Sequence, residues 1–253
     1  MYIKTEGIVL REVEINEADK LLDILTTDHG LVTAKARGVR RSRSELRSAC
    51  QLLAYSEFTF FEYRDRLTIQ EAVPIEQFRQ LRDELELFGL GSYFAQTASA
   101  VAQEDAPNPE LLQLICNALY AISKLRKPQP LVKAAYELRL TRLAGFEPEL
   151  EACCVCGSPE PTRFDLTLGQ VFCADCHPAG MEGIRFPVSP SMLQAMRYIC
   201  WCEPKRLFSF RLDEDSMRNL SSLTEAYLMT QLEHSFPTLD FYKSLLQYGD
   251  YHD

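Results

Sequence analysis

Glycine is scarce in this chain, 11 among 253 residues, which leaves little material for loops that cradle phosphates. No G-x-x-x-x-G-K-[ST], G-x-G-x-x-G or H-E-x-x-H string occurs. Histidine is scarcer still, at four: His29 in a predicted turn, His177 beside a cysteine pair, and His234 and His252 toward the far end. None stands in a Ser/His/Asp or Cys/His arrangement, so neither phosphoryl transfer nor triad hydrolysis has candidate residues. Long apolar runs are missing too. Leu52–Tyr55 and Phe58–Phe61 are soon broken by charge, short of the roughly 18 residues of a membrane span. Met1–Glu6 has neither a basic n-region nor an apolar h-region, so no signal peptide and a cytoplasmic setting are expected. The carboxylate pairs Glu12/Glu14 and Asp213/Asp215 fall at surface-like positions, and nothing around them supports a metal-dependent nuclease.

What is present is a globular composition, 46% hydrophobic and 25% charged, in a length that fits one large domain or two to three small ones. The net charge of −9 argues against blanket nucleic-acid binding, but the charge is unevenly placed. Within residues 35–47, Lys35, Arg37, Arg40, Arg41, Arg43 and Arg47 face only Glu45. Crowding six cations destabilises a chain unless a polyanion relieves their repulsion, so this stretch is read as a phosphate-contacting element.

Nine cysteines are many, and their spacing is informative. Cys153-x2-Cys156 and Cys173-x2-Cys176 are two identical pairs with 16 residues between them, the spacing of zinc knuckles. Gly157 supplies the backbone freedom that a knuckle turn wants. Four thiolates leave no open coordination position, so one structural zinc ion is expected, and its loss should unfold residues 151–178. Cys154 is read as a spectator, His177 is set aside as a substitute ligand, and Cys50, Cys116, Cys200 and Cys202 read as buried small hydrophobes.

The first 75 residues read as five short strands: one opening at Gly7–Leu10, then Lys20–Thr26, Leu31–Arg37, Ser56–Tyr63 and Leu67–Val73. From Pro74 the period turns helical, with helices over Arg82–Gln103, from Asn108-Pro109 through Leu125, over Leu131–Ala144, Met192–Trp201, 213–234 and Thr238–Leu246. The predicted class is α+β: an N-terminal OB-type β-barrel over 1–77, and an all-helical domain over 78–150 and 179–253. A four-cysteine zinc module over 151–178 is embedded in the helical domain. A barrel, a basic loop, a structural zinc site and the aromatics Tyr55, Phe58, Phe60, Phe61 and Tyr63 together suggest nucleic-acid binding. Alternation along the strand means that at most half of those rings can stack on bases.

The runs Gly7–Arg11, Asn16–Leu22, Thr27–Gly30 and Ala36–Ser42, with Asn108–Leu111, Tyr136–Leu140, Leu143–Phe146 and the two knuckles, closely resemble the RecO family of DNA-repair proteins. The resemblance spans nearly the whole chain in order. It departs at Ile15, where many members carry an aromatic, and at Gly169, where a glycine pair is usual. Some members lack the cysteines altogether, which makes zinc a folding device. What the resemblance implies is a recombination mediator of the RecF pathway, not a turnover enzyme. Such a protein binds single- and double-stranded DNA through the barrel and anneals complementary strands. With RecR it helps load RecA on strands coated by single-strand-binding protein, and it belongs at the cytoplasmic nucleoid. The acidic C-terminal tail of single-strand-binding protein is expected to dock on the helical domain. By this resemblance the six cations of residues 35–47 are DNA contacts, and Cys153, Cys156, Cys173 and Cys176 are the zinc ligands. The alternative reading is a zinc-ribbon nucleic-acid-binding regulatory factor that does not anneal.

Overall fold

The computed structural model describes residues 1–176 and 183–249; His177 and His252 lie outside them. It divides into two compact units, one of Met1–Arg126 with the C-terminal helix, the other Lys127–Ser235.

In the first unit, β1 (Tyr2–Glu14), β2 (Lys20–Thr26), β3 (Leu31–Ala36), β4 (Tyr55–Tyr63) and β5 (Arg66–Glu76) close a barrel in the order β1-β2-β3-β5-β4. This is the expected OB-type barrel. Strand β1 serves two neighbours: its first half pairs with β4 and its second half with β2, with a register shift between Val9 and Arg11. Gly7 sits where the two pairings overlap. A Cβ there would come 2.8 Å from both the Ile24 side chain and the Leu25 carbonyl, so only glycine lets the walls meet. Inward residues alternate, and Val9, Leu22, Ile24, Ala34, Phe58, Phe60 and Ile69 form the core. Closure is by a parallel β3/β5 seam of two pairs, Ala34↔Leu67 and Lys35↔Thr68.

Pro74 does not end β5. Beyond Thr68 the strand has no β3 partner, so the proline lies on an edge where its missing N–H breaks no ladder bond.

Helices α1 (Gln80–Asp83), α2 (Leu85–Val101) and α3 (Pro109–Ser123) follow, with α7 (Pro237–Gly249) packed on α2. The single helix predicted over Arg82–Gln103 is interrupted at Glu84, whose extended backbone caps α2 and whose carbonyl accepts from Phe88 N. Asn108 caps α3 by accepting from Leu111 N at 3.0 Å.

In the second unit, α4 (Gln129–Leu143) is buried on almost every side by α5 (Pro190–Trp201) and α6 (Glu214–Leu232). Pro130 sits in its first turn, where no N–H is needed, so the proline-rich junction starts this helix as well as ending α3. Buried Lys133 bridges Glu137 at 2.8 Å and Glu225 at 2.7 Å, and Thr224 donates to Glu137. Ser189 and Asp213 cap α5 and α6. Between α4 and α5 stands a three-stranded sheet, order β7-β6-β8, made of β6 (Arg163–Asp165), β7 (Gln170–Phe172) and β8 (Arg185–Pro187). Three residues are too few to print an alternation, so the sequence left these strands unread. No described helix is long and apolar enough to cross a membrane.

Candidate nucleic-acid interface and metal centre

The connection from β3 to β4, residues 37–54, holds no helix or strand and is built from successive turns. Arg41 N, Ser44 N and Arg47 N reach back three residues to Gly38, Arg41 and Ser44 carbonyls, and Cys50 N reaches Leu46 O. Val39, Ala49, Cys50, Leu53 and Ala54 are buried and pin this loop to the barrel. Burial pushes the Cys50 thiol up to about 12, so it stays a neutral packing group. The residues between those anchors are left facing water. Arg37, Arg40, Arg41, Arg43 and Arg47 are exposed, and Lys35, at the end of β3, is half-buried.

The six predicted cations divide into two sets. Lys35 is paired with Asp19 at 3.0 Å, and Arg40 with Glu14 at 3.0 Å and the Asn16 carbonyl at 2.7 Å. Among the described residues, no ion pair involves Arg37, Arg41, Arg43 or Arg47. Asp19 organises the base of this loop. Gly38 N, Asn16 Nδ2 and Lys35 Nζ all donate to its carboxylate, and together they hold its carboxyl well below the usual carboxylate range.

Beside this loop a cavity of about 700 Å³ opens on the barrel wall, lined among others by Lys35, Arg37, Phe61, Tyr63, Arg66 and Leu67. The aromatic run of β4 splits as its alternation requires. Phe58 and Phe60 are core, their rings stacked at 5.7 Å, while Phe61 and Tyr63 face the cavity. Phe61 also packs on Tyr2, with ring centres 5.2 Å apart. Tyr55 is occupied elsewhere, donating to the Glu6 carboxylate. Arg66 was missed by sequence reasoning; its place at the hairpin end, paired with Tyr63 and two pairs from Phe61↔Thr68, becomes visible only with the register.

The carboxylate pairs also find their roles. Glu12 pairs with Lys20 at 2.8 Å, Glu14 with Arg40, and Asp215 with Arg218 at 3.2 Å, while Asp213 is a helix cap.

In the other unit, Cys153, Cys156, Cys173 and Cys176 converge with all four sulfurs within 4.8 Å of one another. Cys156 Sγ and Cys173 Sγ are 3.8 Å apart. That is far too long for a disulfide. It equals the edge, about 3.8 Å, of a tetrahedron built on zinc–sulfur bonds of about 2.3 Å. Each pair sits in a tight turn: Gly157 N donates to Cys153 O at 2.9 Å and Cys176 N to Cys173 O at 3.2 Å. Gly157 adopts φ +73°, a left-handed conformation that glycine takes without strain. Burial pushes the Cys153 thiol up, but N–H groups of Cys156, Val155 and Cys173 outweigh it and hold the thiol at about 6. The neighbouring Cys156 sulfur, with burial behind it, pushes Cys176 the other way, to about 12. Four thiolates this close would repel one another unless a cation sat between them, so this group could hold a metal ion. Cys154 is exposed and outside the group, as a spectator should be. Of the remaining cysteines, Cys50 and Cys200 are buried, whereas Cys116 and Cys202 are only half-buried.

This cluster is fastened to its own unit. The Arg197 guanidinium donates to the Leu150, Glu151 and Pro159 carbonyls, Gln231 to the Leu166 and Thr167 carbonyls, and Phe164 packs edge-on against Tyr227 at 5.0 Å.

Two family models match the chain in succession. The family model for the recombination protein O N terminal matches residues 1–78, and that for the recombination protein O C terminal matches residues 82–240. A DNA repair protein RecO from Acetivibrio thermocellus is 33% identical over 247 residues, covering 96% of this chain and 97% of its own. Its namesake from Symbiobacterium thermophilum is 30% identical over 246 residues, covering 95% and 96%. That from Alkaliphilus metalliredigens is 27% identical over 248 residues, covering 97% and 100%. With both family models matched in order along the chain, and relatives aligned end to end, the chain belongs to the RecO family of DNA repair proteins.

Proposed function

We propose that this protein is a DNA-binding recombination mediator that works by holding strands rather than by breaking bonds. The observation that carries the reading is the barrel cavity, where Phe61 and Tyr63 stand beside Lys35, Arg37 and Arg66, next to a loop of exposed arginines. Cations track the phosphates while aromatic rings accept bases, and neither interaction demands a particular sequence. Lys35, Arg37, Arg40, Arg41, Arg43 and Arg47 are the proposed DNA contacts. The four loop arginines with no ion pair among the described residues bear most of the charge, and Lys35 and Arg40 mainly hold the loop.

Neutralising phosphates on two strands lowers their mutual repulsion and releases counterions, so complementary strands pair faster without covalent chemistry. Family membership supports the remaining parts: single- and double-stranded DNA as ligands, RecR as partner, and loading of RecA on strands coated by single-strand-binding protein. The docking of that protein's acidic tail on the helical region, and work at the cytoplasmic nucleoid, have the same support. We further infer that Cys153, Cys156, Cys173 and Cys176 hold one structural zinc ion, which would neutralise the sulfur charge and fix the two turns.

The test is strand annealing with two complementary labelled oligonucleotides, without nucleotide, over a range of salt. Acceleration that fades with salt and leaves both strands intact is expected. No acceleration by zinc-loaded protein would overturn the mediator reading in favour of a regulatory nucleic-acid-binding factor.

A further inference from the structure

The barrel cavity does not stand alone. A second cavity, of about 560 Å³, shares Thr33, Asp65 and Leu67 with it, so the two form one cleft across the β3/β5 seam. Their charges are opposite. Lys35, Arg37 and Arg66 line the first; Glu62, Asp65, Glu104 and Asp105 line the second. The second also holds His29 and Met1, whose ammonium is turned onto the Glu62 carbonyl at 2.9 Å, so the four carboxylates set its sign. No ion pair among the described residues involves any of the four.

The junction between the halves carries backbone strain. The β4–β5 hairpin turns through Arg64 at φ +49° and Asp65 at φ +57°, both in the left-handed region. Such a turn favours Asn-Gly, and two charged residues with side chains are an unfavourable choice for it. Strain of this kind concentrates where a side chain is needed for something besides folding. Here the Arg64 guanidinium lies over the Tyr63 ring at 5.2 Å, on the cavity's aromatic side, and Asp65 lines both cavities.

Building on the DNA-binding reading above, we propose that this cleft contains its own end-stop. Asp65, backed by Glu62, Glu104 and Asp105, repels phosphate and halts the backbone path at the seam. The barrel therefore grips only the short stretch of single strand that fits between the β3–β4 loop and Asp65. Exclusion by like charge needs no contact and no sequence preference, and it leaves the rest of the strand unbound by this wall.

The experiment is a length series. The full chain and the Asp65→Asn/Glu104→Gln/Asp105→Asn variant are titrated with oligo(dT) of increasing length by fluorescence anisotropy. For the unaltered chain, affinity should stop rising at a short length. In the variant that plateau should move to longer oligonucleotides, and the slope of log K against log salt should steepen by about 0.7 for each phosphate gained. Asn suits the left-handed turn better than Asp, so the variant should melt no lower than the parent. An unchanged plateau would overturn the end-stop. So would an equal shift in a control with Glu151→Gln, Glu203→Gln and Glu214→Gln, because general electrostatics would then explain it. Arg37→Glu separates the two levels: if it weakens binding while the triple variant leaves the plateau where it was, the end-stop alone falls, and if it leaves binding unaffected, the cleft reading and the end-stop fall together.

Discussion

Asp19 and its neighbours show how much one carboxylate can decide. Gly38 N, Asn16 and Lys35 all donate to it, so its folded-state acidity is stronger than in the unfolded chain. A depressed value contributes stability above the unfolded carboxylate range, near pH 4, and that stability is lost as pH falls through that range toward the folded value. Asp19→Asn should therefore be less stable than the parent at pH 7, and the gap should narrow steadily as pH falls below about 4 in urea unfolding. A gap that stays constant with pH would refute the assignment. The same residue-level view changes which arginines to test. Arg40 is tied to Glu14 and Asn16, so its reversal would disturb the loop itself. Arg41→Glu with Arg43→Glu removes charge and little else, and should weaken binding to all DNA sequences alike, which anisotropy with several unrelated oligonucleotides would check. The sequence revealed these cations because clustered charge is visible in one dimension. It hid their partners, since Glu14, Asn16 and Asp19 meet the loop only once β1 and β2 are paired.

At the scale of elements, α4 is the least legible and the most informative. Its outline was readable from flanking prolines and Gly145, but the chain gives no warning that Lys133 and Glu137 would be buried with it. A helix enclosed on all sides prints no apolar stripe, so its charges look like solvent contacts. Glu137→Ala would leave the Lys133 ammonium short of a partner in the interior and should lower stability by about 3–5 kcal/mol in urea unfolding. Lys133→Met with Glu137→Leu should do less damage than the single change, because no buried charge is stranded. The knuckles are the opposite case, legible to the residue because C-x2-C spacing is a local property. Chelation should release one equivalent of zinc and unravel the β6–β8 region, seen as lost amide protection there, while the barrel keeps its own. Uniform protection after zinc removal would refute the folding role.

For the whole molecule, salt dependence is the most direct readout. Arg37, Arg41, Arg43 and Arg47 engaging single-stranded DNA at about −0.7 each predict a slope of roughly −3 for log K against log salt. A slope near zero would mean the basic loop does not contact phosphate. Fold class and barrel were legible in advance, because five alternating runs and a basic connection leave few architectures open. The cleft was not, because Lys35, Phe61 and Arg66 come from three different strands and are brought together only by barrel closure. That closure has a mechanical side. The wall is sealed by just two residue pairs, Ala34↔Leu67 and Lys35↔Thr68, at the floor of the cleft. A strand laid across so narrow a weld would splint it, and DNA would then act as a missing piece of the barrel, slowing its breathing as well as being carried by it.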